Sequence, residues 1–142
     1  ENSSDDWQPE EGEAQGAVHG EITWLREGSY GRSKHIDELE GTTDLINEVD
    51  EGHYRLEQTG LTVGGTKHEV SRIRENQPTS AECIFERSQQ MGRDDNPISF
   101  NLRARLSCDR DNFFVEGTCD TYESEKRIHS KVWNLAILRD HL

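Results

Sequence analysis

Residues 98–108 read Ile-Ser-Phe-Asn-Leu-Arg-Ala-Arg-Leu-Ser-Cys, and this stretch decides the fold class. Every second residue is apolar or small, and the residues between them are serine, asparagine or arginine. Because successive side chains of a strand point to opposite faces, the alternation predicts a half-buried strand of an antiparallel sheet. The four residues that follow, Asp109-Arg110-Asp111-Asn112, have the chemistry of a turn.

Two further strands complete a C-terminal meander. The pattern predicts one strand over Phe113 to Tyr122, a turn over 123–126, and another strand over Arg127 to Ile137. In this register Leu106 and Val115 face one core, so an aspartate at position 106 is expected to unfold the domain.

The same pattern of short strands and turn residues is present upstream. The predicted strands are 21–25, 45–49, 53–58, 61–63, 66–73 and 81–88. Asp50-Glu51-Gly52 and Gly64-Gly65 are interpreted as hairpin turns, and Pro78 as the start of a loop. Seven to nine strands without a helix predict an all-β antiparallel meander that forms a bent sheet or a barrel.

Composition predicts two parts for the 142 residues, an acidic flexible arm over 1–20 and a single β domain over 21–142. The net charge of −13 disfavours nucleic acid and anionic membranes as partners. No apolar run is long enough for a membrane-spanning helix. The chain begins at Glu1 without an initiator methionine, so we expect a processed chain or a proteolytic fragment.

No catalytic, cofactor-binding or metal-binding residues are predicted. Gly28-Ser29-Tyr30-Gly31 lacks the Gly-x-Ser-x-Gly spacing of a nucleophile elbow and is interpreted as a turn. His68 and Glu69 are consecutive in a strand and point to opposite faces. The six histidines are scattered, at positions 19, 35, 53, 68, 129 and 141.

Two groups of side chains leave alternatives open. Cys83, Cys108 and Cys119 are interpreted as buried free thiols, with a disulfide as the alternative, because no Cys-x-x-Cys pair suggests a metal site. Trp24, Tyr54 and Trp133 are core residues in one interpretation and line a ligand pocket in the other.

Four stretches between residues 22 and 142 carry a resemblance to a known family. They are Trp24-Leu25-Arg26-Glu27-Gly28-Ser29-Tyr30, the segment from Thr59 to Ser71, Pro78-Thr79-Ser80-Ala81, and Phe114-Val115-Glu116 through Tyr122-Glu123 to Trp133, Ile137, Arg139 and Asp140. In order and spacing they resemble the C-terminal extension of bacterial α/β-hydrolases of the X-prolyl dipeptidyl-peptidase and cocaine-esterase type. Where the tail of that family usually has proline, this chain has Leu138.

The resemblance implies a non-catalytic β-domain or small subunit, because the family's Ser-His-Asp triad lies on a separate α/β-hydrolase domain. The implied partner is that catalytic chain or domain, and the implied role is assembly or control of substrate access. Two other classes stay open. One is a stand-alone β-barrel that binds an apolar small molecule, and the other is a structural β protein that self-associates through its strand edges.

Overall fold

The computed structural model describes residues 20–93 and 96–139, and these form one antiparallel sheet of eight strands. The strands are β1 (Ile22–Arg26), β2 (Ser29–Asp37), β3 (Thr42–Leu56), β4 (Leu61–Arg74), β5 (Gln77–Arg93), β6 (Asn96–Cys108), β7 (Asn112–Glu123) and β8 (Lys126–Leu138). The predicted all-β antiparallel meander is confirmed. The predicted arm over 1–20 falls almost entirely outside the described residues.

Each strand from β3 to β8 pairs with the next one along the chain. β1 and β2 share the remaining edge of β3, with β2 along its first part and β1 along its last four residues. β8 lies at the other end of the sheet and does not pair with β1 or β2 in the described part of the chain. The sheet is therefore open in the described part of the chain, and the predicted barrel does not form there.

The C-terminal meander agrees with the prediction almost residue by residue. Leu106 lies opposite Val115, and the turn between β6 and β7 is closed by the Asp109 carboxylate. That carboxylate accepts hydrogen bonds from the backbone N–H groups of Asp111 at 2.8 Å and Asn112 at 2.7 Å. These two bonds favour the charged form and lower the pKa of Asp109 below its ordinary value.

Both predicted upstream hairpins are wrong. Gly52 lies inside β3, where Glu51 and Gly52 form a bulge opposite Gly65 of β4, and Gly64 and Gly65 lie inside β4. Gly52 has φ +75°, and a Cβ atom there would lie 2.7 Å from the carbonyl oxygen of Arg26. A Cβ atom on Gly64 would lie 2.8 Å from the Gly52 carbonyl oxygen. These glycines serve close backbone approach within long strands rather than chain reversal.

Two smaller predictions are also corrected at strand ends. Pro78 lies inside β5 and not at the start of a loop. Residues 78–81 form a bulge opposite Ile73, and this bulge accommodates the proline within the strand. The Ser80 hydroxyl accepts a hydrogen bond from the Arg74 N–H and donates one to the Gln77 carbonyl, which fixes this bulge. Ser29 begins β2 and does not belong to a turn.

The sheet is a single layer, so the expected core is absent from the described part of the chain. No apolar side chain there is buried, and Leu106 keeps 46% of its surface exposed. Leu106 and Val115 share a face as predicted, but nothing described covers that face. Strand alternation establishes which residues share a face and leaves open whether a second layer packs on it.

Candidate functional site

The strand register gathers most large apolar side chains on one side of the sheet, which we name the apolar face. Its members follow from the residue pairs between neighbouring strands. They are Ile22, Trp24, Tyr30, Ile36, Leu45, Val49, Tyr54, Leu56, Leu61, Val63, Ile73, Cys83, Phe85, Met91, Ile98, Phe100, Leu102, Leu106, Cys108, Phe113, Val115, Cys119, Trp133, Leu135 and Ile137. All eight strands contribute to this face.

The apolar face is large and uncovered. At about 4.8 Å between strands and about 3.3 Å per residue, this side of the sheet measures roughly 30 Å by 40 Å, a footprint of about 1,200 Å² that includes its polar side chains. The largest exposed apolar patch on an ordinary monomer is about 300–600 Å². Trp24, Leu135 and Ile137 each expose about half of their surface. Exposed apolar side chains of this number on one side of a sheet make that side a candidate interaction surface.

A cleft of about 420 Å³ lies at one end of the apolar face, where β6 and β7 meet their connecting turn. Residues from β3 to β7 line it, including Leu45, Ile73, Cys83, Leu106 and Phe113. Its lining is almost entirely apolar, so its natural occupant is an aliphatic or aromatic group.

A polar belt crosses the middle of the apolar face. The Arg87 guanidinium contacts the Glu51 carboxylate at 3.0 Å, and the Lys67 ammonium contacts the Glu69 carboxylate at 3.1 Å. Lys67 also lies 5.4 Å from the centre of the Phe85 ring. The Nε atom of Arg87 is shielded from solvent and has no hydrogen-bond partner among the described residues. The belt pairs its charges locally, which lowers the cost of covering this face.

The opposite side of the sheet, which we name the charged face, carries an alternating ion-pair row across five strands. Arg72 donates two hydrogen bonds of 2.7 Å to Asp44, and its other terminal nitrogen lies 3.8 Å from Glu82. The Arg105 guanidinium contacts the Glu82 carboxylate at 2.8 Å and the Glu116 carboxylate at 3.2 Å. Each acid therefore lies between or beside guanidinium groups, and the row needs no partner molecule.

The ion-pair row contains the best-shielded carboxylate in the described part of the chain. Asp44 is 9% exposed. The bidentate hydrogen bond from Arg72 lowers the pKa of Asp44 below its ordinary value, against the opposing effect of burial. The same bond raises the pKa of Arg72. A second local pair at the β1–β3 junction, Arg26 with Asp50, lowers the pKa of Asp50 in the same way.

The aromatic residues singled out in the sequence do not form one pocket. Trp24 and Tyr54 are cross-strand neighbours on β1 and β3, with ring centres 5.3 Å apart in an edge-on arrangement. Trp133 lies on β8 at the far end of the sheet, with the Lys131 ammonium 5.0 Å from its ring centre. All three belong to the apolar face. The sequence interpretation placed them in a core or a pocket because it assumed that this face was covered.

The polar candidates are also dispersed. His68 and Glu69 point to opposite faces as predicted, and the nearest carboxylate oxygen to His68 is that of Glu86 at 4.0 Å. His19 and His141 lie outside the described residues. Arg139 donates a 2.7 Å hydrogen bond to the Asp109 carbonyl and lies over the Phe113 ring, so it ties the end of β8 to the β6–β7 turn.

All three cysteines are free thiols, but they are half-buried rather than buried. Cys108 lies opposite Phe113 and Cys119 opposite Leu102, so the two lie too far apart along the strands for a disulfide. The burial was overestimated because no second layer covers them.

Comparison with known proteins gives no relative: no protein-family model matches the chain, and neither does any curated protein or solved structure. Among the described residues no three His, Cys, Asp or Glu side chains gather closely enough to hold a metal ion. No helix in that part of the chain is long and apolar enough to cross a membrane.

Proposed function

We propose that this chain is a non-catalytic β-domain that packs its apolar face against the catalytic chain or domain of an α/β-hydrolase. The observation that carries the proposal is the uncovered apolar face of about 1,200 Å². Protein domains are built from at least two packed layers that enclose a core, and the described residues supply only one. The second layer therefore comes from outside the described residues.

The size of the face favours a protein as its cover. Burying about 1,200 Å² on each side gives an interface of roughly 2,400 Å² in total, in the range of obligate complexes. A small molecule in the 420 Å³ cleft covers only one end of the face. The cleft instead suits an aliphatic or aromatic side chain of the partner, since binding energy concentrates where such an anchor fills a pocket.

The choice of a hydrolase rests on the resemblance carried by residues 22–142. In that family the catalytic triad lies on another domain, so the resemblance requires no catalytic residue in this chain. The role that follows is structural: the sheet supports the catalytic domain or limits access to it.

The test is complex formation with an α/β-hydrolase catalytic chain from the same source, followed by size-exclusion chromatography. Leu135→Glu places a charge on the apolar face, where Leu135 is 48% exposed. Asn134→Glu places the same charge one residue away on the opposite face. We expect co-elution to be lost with Leu135→Glu and kept with Asn134→Glu.

Two outcomes contradict the proposal. One is a folded monomer that forms no complex with any such hydrolase chain. The other is equal loss of the complex with both variants, since that would separate binding from the apolar face. If the chain forms no complex and instead binds a long-chain fatty acid, displaced by Cys83→Phe, the alternative of a small-molecule module in the cleft is supported.

A further inference from the structure

We infer that the outer edge of β8 is a strand-addition site for an extended, acidic peptide segment. This site uses backbone groups at the edge of the sheet, and it adjoins the apolar face, on which Lys131 lies. β8 is 13 residues long, and among the described residues only its β7 side is paired.

The hydrogen-bonding direction along β8 can be read from its last contact. The Arg139 N–H donates to the Asp111 carbonyl across the β7–β8 pair at 2.9 Å. In an antiparallel pair the residues alternate between bonding to the neighbour and pointing away from it. Counting back from Arg139, five residues direct both N–H and C=O away from β7. They are Ser130, Val132, Asn134, Ala136 and Leu138.

The two edges of the sheet differ in what a new strand would meet. The β1–β2 edge is interrupted at Glu27–Gly28, where the chain passes from one strand to the next. β8 has one bulge, at Ile128, and then runs regularly to Leu138. It contains no proline, and Lys131 is the single charged residue between His129 and Leu138. Natural sheets usually shorten, bend or charge such an edge unless something pairs with it.

Charge identifies the chemistry of the added strand. The chain carries −13 overall, yet β8 contains Lys126, Arg127 and Lys131 and no acidic residue. All three bases lie in its first half, where Arg127 already contacts the Asp120 carboxylate at 3.5 Å, so Lys126 and Lys131 are the two bases on which an acidic strand would depend. Residues 132–138 are apolar apart from Asn134. An antiparallel peptide that is apolar in its N-terminal half and acidic in its C-terminal half matches both halves.

The probe is a fluorescent peptide of about ten residues with alternating Thr and Val and about three Glu in its C-terminal half. Its matched partners carry the Glu residues in the N-terminal half, or Lys in their place. Fluorescence anisotropy with the full chain is expected to show at least about tenfold tighter binding of the C-terminally acidic peptide than of the Lys peptide, with a decrease in high salt.

Two variants test the edge and one serves as the control. Asn134→Pro removes an outward N–H at a position where an edge strand tolerates proline, and should weaken binding at least about tenfold. Lys131→Glu reverses the charge and should weaken it similarly. Lys34→Glu makes the same change on the apolar face of β2, at the other edge, and should leave binding unchanged. Circular dichroism verifies that each variant is folded.

Equal affinity for the acidic and basic peptides, or equal weakening by Lys34→Glu and Lys131→Glu, would overturn the inference. A different occupant would also overturn it. If sedimentation equilibrium shows a dimer that Asn134→Pro dissociates, β8 pairs with a second copy of the chain and not with an acidic peptide.

Discussion

The two faces of this sheet differ in how their side chains meet water: one pairs its charges within the sheet, and the other exposes apolar side chains. On the charged face the ion-pair row is paired within the described residues: Asp44, Arg72, Glu82, Arg105 and Glu116 contact one another across five strands. No described residue covers the apolar face, and each large side chain on it keeps part of its surface exposed.

The difference shows where stability resides. Interactions of the charged face act in the chain alone, whereas most of the hydrophobic stabilisation of the apolar face appears only when a second layer removes it from water. Substitutions on the apolar face should therefore have their main effect on a complex with a partner. Substitutions on the charged face should lower the stability of the chain alone.

The largest expected effect is on the apolar face in the complex. If the proposed hydrolase chain covers this face, Leu106→Asp should weaken binding to it at least about a hundredfold, because a charge would be buried without a partner. In the chain alone it should cost less than about 1 kcal/mol of unfolding free energy, since Leu106 is 46% exposed. Calorimetric titration and urea unfolding measure the two quantities. Unfolding of the isolated chain by this substitution would mean that a core covers the face after all.

The next effect is on the charged face and needs no partner. Arg72→Met leaves the shielded Asp44 carboxylate without its bidentate donor and should cost about 1–3 kcal/mol. Arg74→Met is the matched control two residues along the same strand. Its exposed pair with Glu40 should contribute less than about 0.5 kcal/mol. Urea unfolding of the isolated chain measures both losses of unfolding free energy. Equal losses for the two variants would show that the Arg72–Asp44 pair contributes no more than the exposed Arg74–Glu40 pair.

The smallest effect is a dependence of stability on acid. The folded pKa of Asp44 lies below its unfolded value, so between the two values the unfolded chain binds more protons. The contribution is therefore present above about pH 4 and is lost as the pH falls through the folded pKa. Asp44→Asn should flatten the decrease in melting temperature between pH 5 and 2. Leu106→Ala, on the other face, should shift the melting temperature equally at every pH.

The sequence predicted the C-terminal meander well and the N-terminal half poorly, for a physical reason. β6 has strict alternation and ends at a turn whose Asp109 carboxylate caps its own backbone, so local chemistry specifies the structure. In β3 and β4 the same glycine signal has another cause, since Gly52 and Gly64 allow neighbouring backbones to approach. Sequence alone does not separate a turn glycine from one at a close approach.

The candidate site was predictable only in part. Alternation in β6 and β7 places Leu106 and Val115 on one face. It does not tell whether that face is covered, because a covered and an uncovered sheet share one pattern. The ion-pair row was also missed, since Asp44 and Arg72 are 28 residues apart and meet only through the β3–β4 register.

The sequential order of pairing from β3 to β8 has a consequence for how the chain folds. Because each of these strands pairs with its direct successor, no pairing from β3 to β8 needs a strand from elsewhere in the chain to be in place first. The β6–β7 hairpin, closed by Asp109, is the natural nucleus, and pairing can extend from it in both directions. β1 departs from this order because it skips β2 to reach β3, so it is expected to dock last and to be the first strand released when the chain unfolds.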